Sequence, residues 1–195
     1  AKKLDFLNAE QYKSVIKSMY INAGKEDEIP AYCLTDTGVD TDWQDEMMRS
    51  GFSQNYMFSV RGGSETAQYS VSYNHADDKG IFLGNDYRQD NARMKLHMSK
   101  YIFDLDANLG FRYTKSHQPT YSLKEVYNIS PLVPVYDENE EYGFGLTASQ
   151  GLPSNNNPMA DYYYQDEVEK TFSTTANVSL GIKITPYLNF KTSYA

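Results

Sequence analysis

Three histidines, a scatter of aspartates and a large stock of tyrosines are the side chains in this 195-residue chain with chemistry to offer. His75, His97 and His117 stand on different segments, and none has a neighbouring ligand at the spacing a zinc site needs. Asp77, Asp78, Asp86 and Asp90 have the charge for calcium but not the spacing of a helix–loop–helix calcium loop, so they read as a solvated acidic stretch. Gly143-Phe144-Gly145 is not followed by the Lys-Ser/Thr pair of a phosphate-binding loop. Asp104 and Asp106 share one side of an alternating run, where pairing with Lys95 or Arg112 on a neighbouring strand is expected ahead of catalysis. No catalytic set emerges. The expectation is a protein that is not an enzyme, with no metal and no cofactor.

The tyrosines are more informative. There are 18 Tyr and 9 Phe against a single Trp, Trp43. Tyrosine joins an apolar ring to a polar tip and suits surfaces that meet two media. Outside the alternating stretches, Tyr121 and the run Tyr162, Tyr163 and Tyr164, with the amides Asn155, Asn156 and Asn157, form the speculative ligand-binding set. Rings stack on the C–H faces of sugars, and amides bond their hydroxyls. The alternative is that these rings pack loop against loop or against a protein partner, as aromatic residues do at interfaces.

The elements that must carry these residues follow from hydrophobic periodicity. Phe52–His75 reads as two strands around a turn at Gly62-Gly63-Ser64-Glu65, with Tyr56, Phe58 and Val60, then Tyr69, Val71 and Tyr73, on one face. Alternation returns at Asn91–Ser99, at Phe103–Lys115 and from Thr171 to the last residues, giving about six strands. Residues 76–90 and 116–170 are long connections; Lys100–Ile102 and Thr185-Pro186 are short ones. Before the first strand, residues 8–24 are expected to form a helix capped by Asn8, with Gln11 in the capping-box position. A second helix begins near Asp42 and ends at Gly51, with Trp43 as the anchor holding it to the adjoining sheet. Ser122–Tyr127 has the makings of one or two helical turns.

Net charge is −8, which argues against a nucleic-acid footprint. One cysteine, Cys33, excludes an internal disulfide. No apolar run approaches the roughly 20 residues of a membrane helix, and the first residues lack a signal core. Both ends read as cut from a longer protein. Clean alternation, aromatics towards strand ends and the alternation of short turns with long loops fit an outer-membrane barrel, whose apolar face meets lipid. The expected fold is all-β: antiparallel up-and-down strands forming a partial transmembrane β-barrel wall with long extracellular loops, and two short helices in the N-terminal loop segment. Residues 1–51 are the extracellular helical segment and 52–195 the partial barrel. The alternative is a soluble β-sandwich binding carbohydrate or a protein partner.

Five stretches carry a family likeness: Leu7-Asn8-Ala9-Glu10-Gln11-Tyr12, Thr41-Asp42-Trp43-Gln44-Asp45-Glu46, Ser59-Val60-Arg61-Gly62-Gly63-Ser64-Glu65, Tyr69-Ser70-Val71-Ser72 and Gly80-Ile81. Their order and spacing resemble the early barrel region of the SusC/RagA family, the TonB-dependent outer-membrane transporters of Bacteroidetes. The resemblance covers essentially the whole chain. It implies a closed barrel around a plug, a SusD-like surface lipoprotein as partner, contact with outer-membrane lipid, and energy from the TonB complex through parts absent here. It implies import of oligosaccharides or peptides.

Overall fold

The computed structural model describes residues 3–153 and 155–195. It contains one six-stranded antiparallel sheet in the order β1-β2-β3-β4-β5-β6, each strand beside its neighbour in the chain. The strands are β1 (Phe52–Gly63), β2 (Ala67–Lys79), β3 (Asp86–Lys100), β4 (Phe103–Gln118), β5 (Glu167–Thr185) and β6 (Leu188–Tyr194). The helices are α1 (Ala9–Asn22), α2 (Ala31–Leu34), α3 (Trp43–Met47), α4 (Leu123–Asn128) and α5 (Pro158–Tyr164). The chain divides into two compact units. The sheet unit is Gly51–Lys79, Asp86–His117 and Val168–Ala195; the helical unit comprises the described residues up to Ser50, Gly80–Asn85 and Gln118–Glu167.

Register follows the two-residue period. Tyr56 faces His75, Phe58 faces Tyr73 and Val60 faces Val71 across β1 and β2. Val71 continues to Met94, and Met94 to Leu109. The apolar side chains thus form rungs on one face, and Arg61, Ser70, Lys95 and Asn108 form a rung on the other. The β1–β2 turn depends on Gly63. Its φ is 150°, and a Cβ there would lie 2.2 Å from the Ala67 carbonyl oxygen, so any side chain would break the hairpin.

Every residue of the buried hydrophobic core belongs to the helical unit: Trp43, Met47, Val126, Leu132, Val133 and Phe144 are at its centre. The sheet supplies none. Its apolar face is exposed over β1 and β2 and much of β3, β5 and β6, with Phe58 at 66% and Phe172 at 68% of full exposure, and half-buried at Leu105, Leu109, Phe111 and Tyr113 of β4. Among the described residues there is one sheet and no second layer of strands, which is not the arrangement of a sandwich.

The strands are longer than the periodicity predicts. The 76–90 stretch, expected as a long connection, is strand except for Gly80–Asn85, because β2 and β3 stay paired out to Lys79 opposite Asp86. Strands β1 to β5 have 12, 13, 15, 16 and 19 residues, beyond the roughly 9–11 needed to span a bilayer. Polar pairs occupy the added length. Asp90 accepts from the Tyr73 hydroxyl at 2.5 Å and lies 2.7 Å from His75 Nδ1, while Asp78 bonds Ser53.

Helix boundaries follow local capping. Asn8 and Gln11 exchange side-chain bonds with each other's backbone N–H at the start of α1. Asp42 accepts from the N–H groups of Gln44 and Asp45. The segment before β1 holds three α-helices, not two, because Pro30 starts the extra turn α2. Helix α3 stops at Met47, earlier than Gly51, since Met48 leaves to bridge Phe82. Trp43 also anchors differently from expectation. Its indole N–H donates to the Ser130 carbonyl at 3.1 Å, so it holds α3 to the 130–133 loop segment rather than to the sheet. Thr41 adds bonds to Pro131 and Val133 carbonyls.

Candidate functional site

The excursion between β4 and β5 builds the aromatic patch. Asn157 followed by Pro158 is a helix start: the Asn157 carboxamide oxygen accepts from the N–H groups of Met159 and Ala160, and proline occupies the first turn, where its missing N–H costs nothing. Within the long connection expected over residues 116–170, Pro158–Tyr164 is therefore helix. The Asn157 amide nitrogen donates to the Val135 and Gly145 carbonyls at 3.0 Å each, tying α5 to the 135–145 hairpin, where Tyr136 bridges Phe144.

These ties gather rings. Phe144 is buried, with Tyr136, Tyr163 and Tyr164 at centroid distances of 5.3, 5.6 and 5.6 Å. Tyr163 and Tyr164 meet edge to face at 5.1 Å, and Tyr142 meets Tyr164 at 6.2 Å. The Tyr164 hydroxyl donates to the Tyr142 carbonyl at 3.2 Å. Around buried Phe144, four rings stay exposed, Tyr163 at 71%. Exposed apolar clusters of this kind mark binding surfaces.

The seven sequence-selected residues separate. Tyr163 and Tyr164 are in the exposed patch. Tyr162 is more covered and lies beside Gly84. Tyr121 is 5% exposed, and its hydroxyl donates to the Leu83 carbonyl at 2.8 Å. Burial first, then the neighbouring Tyr162, pushes its phenol up to about 12. Tyr121 is a core residue. Asn157 is buried and its amide is fully used. The Asn155 backbone exchanges bonds with the Thr147 hydroxyl, and Asn156 has no contact that sets it apart. Tyr136 and Tyr142 join the patch without having been in the sequence-selected set. Their signal was the hairpin around Asp137–Gly143, whose ends bring residues flanking a turn together.

A second feature of the helical unit is a cleft of about 670 Å³ lined by Phe6, Tyr12, Trp43, Tyr127 and Asn128. Its size suits a ligand. Most of its polar lining is already engaged. Gln44 exchanges bonds with the Leu4 backbone, Asp40 accepts from the Ala9 N–H, and Asp42 pairs with Lys3. It reads as the crevice beneath a strapped-down segment.

On the polar sheet face, the expected aspartate pairings shift. Asp104 pairs with Lys183 at 2.8 Å, and Asp106 with His97 at 2.7 Å and Lys191 at 3.7 Å. Lys95 and Arg112 are not their partners, because Lys95 stands opposite Asn108 and Arg112 opposite Asn91. Asp77 and Asp78 point to opposite faces of β2, so the acidic stretch does not converge. Among the described residues, no three His, Cys, Asp or Glu side chains are grouped to hold a metal ion.

No protein-family model matches the chain. The chain is similar to the TonB-dependent receptor SusC of Bacteroides thetaiotaomicron, with 28% identity over 147 residues. The match takes in 73% of this chain and 14% of that receptor. With the two-faced sheet, the similarity supports a fragment of the SusC family.

Proposed function

We propose that this chain is part of the wall of a TonB-dependent outer-membrane transporter that imports oligosaccharides or peptides. The observation that carries the reading is a sheet without a core. None of its apolar side chains is buried, and most are exposed, while the helical unit keeps its own centre packed. Lipid is the medium that makes such a face favourable, with the polar face turned to the lumen. Tyr56, Phe58, Val60, Tyr69, Val71 and Tyr73 then meet outer-membrane lipid, in a Bacteroidetes-type cell. Residues 1–51 and the excursion before β5 stand as extracellular elements. There, Tyr163, Tyr164, Tyr136 and Tyr142 offer ring faces to a substrate, and a SusD-like lipoprotein is the partner at that end. Coupling to the TonB complex falls to other parts of the transporter. The role is transport rather than catalysis.

The test has two arms. The full-length protein is fractionated, and it is expected in the outer membrane. A deletion strain is then grown on a panel of glycans and peptides, and loss of growth on one class identifies the substrate. Recovery of the full-length protein as a soluble, detergent-free species would overturn the reading.

A further inference from the structure

The apolar face of the sheet ends in two steps. Towards the long connections it closes on the rung Tyr56–His75–Asp90–Tyr113, where polar tips first appear. Two residues further out, the same face carries Gln54, Asp77, Arg88 and Lys115. Strand β5 lies next to β4 and extends this rung. Gly110 lies against Thr175 and Gly181 against Asp104, and counting outward from these contacts sets Lys170 beside Lys115. Lys170 has the parity of Phe172, whose ring lies 6.4 Å from that of Phe111 on the apolar face. Arg88, Lys115 and Lys170 therefore stand on three adjoining strands, within about 10 Å at two strand spacings. One acid, Asp77, shares their rung, opposite Arg88. Arg88 also leans back to Asp90, with Nε 3.4 Å from the carboxylate, but Asp90 is already held by Tyr73 and His75. Among the described residues Lys115 and Lys170 have no ion-pair partner. Like charges side by side across a ladder repel, and an anion between them removes the repulsion.

The depth of the rung selects the anion. Lys115 is six residues along β4 from Leu109, which is near the centre of the apolar run. At a rise of ~3.4 Å per residue and a tilt of ~40°, that is about 15 Å along the bilayer normal, just past the ~12.5 Å half-height of an apolar band ~25 Å tall. This is headgroup level. The three cations sit where the phosphates of a lipid lie when its chains rest on the apolar side chains below. Long basic side chains reach that level with their stems still on apolar surface. Basic clusters beside an apolar face bind anionic headgroups, and Arg holds a phosphate two bonds at a time. A free anion would gain nothing from the rings below, and a solute in the lumen would meet the opposite face of the sheet.

On the lipid-facing reading proposed above, we infer that Arg88, Lys115 and Lys170 form a docking site for the phosphate-bearing headgroup of an outer-leaflet lipid. The experiment takes the full-length protein in dodecyl maltoside micelles and adds either lipid A or the same lipid A stripped of its phosphate. Native mass spectrometry counts the lipid retained. The unaltered protein is expected to retain the phosphorylated form about tenfold more. Arg88→Gln with Lys115→Gln and Lys170→Gln is expected to remove that preference. Arg61→Gln with Arg93→Gln and Lys95→Gln, an equal loss of charge on the polar face, is expected to keep it. Excess inorganic phosphate is expected to leave the lipid in place; full displacement by it would mark a site for the free ion and overturn the inference. Equal retention of the two lipid forms by the unaltered protein, or a preference that survives in the Arg88, Lys115 and Lys170 variant, also overturns it. Because outer-membrane fractionation of the same protein is scored separately, such a failure leaves the transporter reading intact.

Discussion

Substituting arginine along β4 tests whether lipid covers the apolar face, since lipid imposes a depth profile that a protein partner would not. Leu109 shares the rung Val60–Val71–Met94–Leu109, near the centre of the apolar run from Phe103 to Tyr113. Tyr113 lies four residues further along β4. At a rise of ~3.4 Å per residue and a tilt of ~40°, that is about 10 Å along the bilayer normal, close to the edge of an apolar band ~25 Å tall. Leu109→Arg is therefore expected to cost about 2–4 kcal/mol and Tyr113→Arg about 0–1. A gap of about 2 kcal/mol is roughly a thirtyfold change in the folding equilibrium. The assay is denaturant-dependent folding of the full-length protein into phosphatidylcholine vesicles, read by heat-modifiable gel mobility. Leu109→Met, which keeps volume and apolarity, is the control and is expected to stay under about 1.5 kcal/mol. Equal costs at the two arginine sites, or folding of the parent protein without lipid or detergent, would refute the lipid-facing assignment.

Four further outcomes are expected from the helical unit. Asn157→Ala removes the α5 cap and leaves the Val135 and Gly145 carbonyls without their donor. Together these cost about 2–4 kcal/mol locally, read as faster amide exchange across Pro158–Tyr164; Asn157→Asp keeps the cap and recovers about half. Tyr163→Ala with Tyr164→Ala is expected to weaken substrate binding to the full-length protein by tenfold or more in calorimetric titration. Tyr121→Phe, which strips the buried bond to Leu83, is expected to leave binding unchanged and to cost stability of about 1 kcal/mol. Asp161 is raised above the ordinary carboxylate range by burial and then by Glu125. Its folded state thus holds the proton more tightly than the unfolded chain. Stability of α5 should fall as pH rises from the ordinary range through the raised value and then level off, and Asp161→Asn should flatten that profile, measured by amide exchange against pH.

How far the sequence could be read depended on whether a local rule decided the outcome. Strand parity is such a rule: Tyr56, Val71, Leu105 and Leu180 alternate with polar neighbours, and each took the apolar face. Capping is equally local: Asn8 opens the first helix as expected, the second starts after Asp42, one of the two candidates there with Thr41, and the helical turns expected at Ser122–Tyr127 form behind a Ser122 cap. Strand ends were misjudged where the rule changes. Between residues 76 and 90 the side chains become polar on both faces, so alternation disappears, yet backbone pairing continues to Lys79 opposite Asp86. Hydrogen-bonded ladders do not need an apolar face, and periodicity sees only the face. The candidate ligand set was divided by a different kind of effect. Tyr121 and Tyr163 are the same residue type in similarly polar loops, but one hydroxyl meets the Leu83 carbonyl in a packed centre while the other ring stays outside. That choice rests on contacts between residues some 40–75 positions apart, such as Tyr121 with Leu83 and Met47, which no local pattern records.

The same reasoning explains why the charge on the polar face became legible only with register in hand. From sequence, Asp104 and Asp106 looked like natural partners for Lys95 and Arg112, since all four lie on polar positions of adjoining strands. Register decides otherwise by a few residues. Asp106 meets His97, one rung towards the turn from Lys95, and Asp104 turns to Lys183 of β5. Once the acids are spent there, nothing acidic remains on the rungs of Arg61, Arg93, Lys95 and Arg112. Four like charges with a serine and glycine floor are costly to leave to themselves, because neighbours of one sign repel and no bulky side chain separates them. In water the cost is screened. The two faces of the sheet thus differ in what they ask of their surroundings: the apolar face calls for an apolar medium, which we propose is lipid, while the basic middle of the polar face is satisfied by water and its ions.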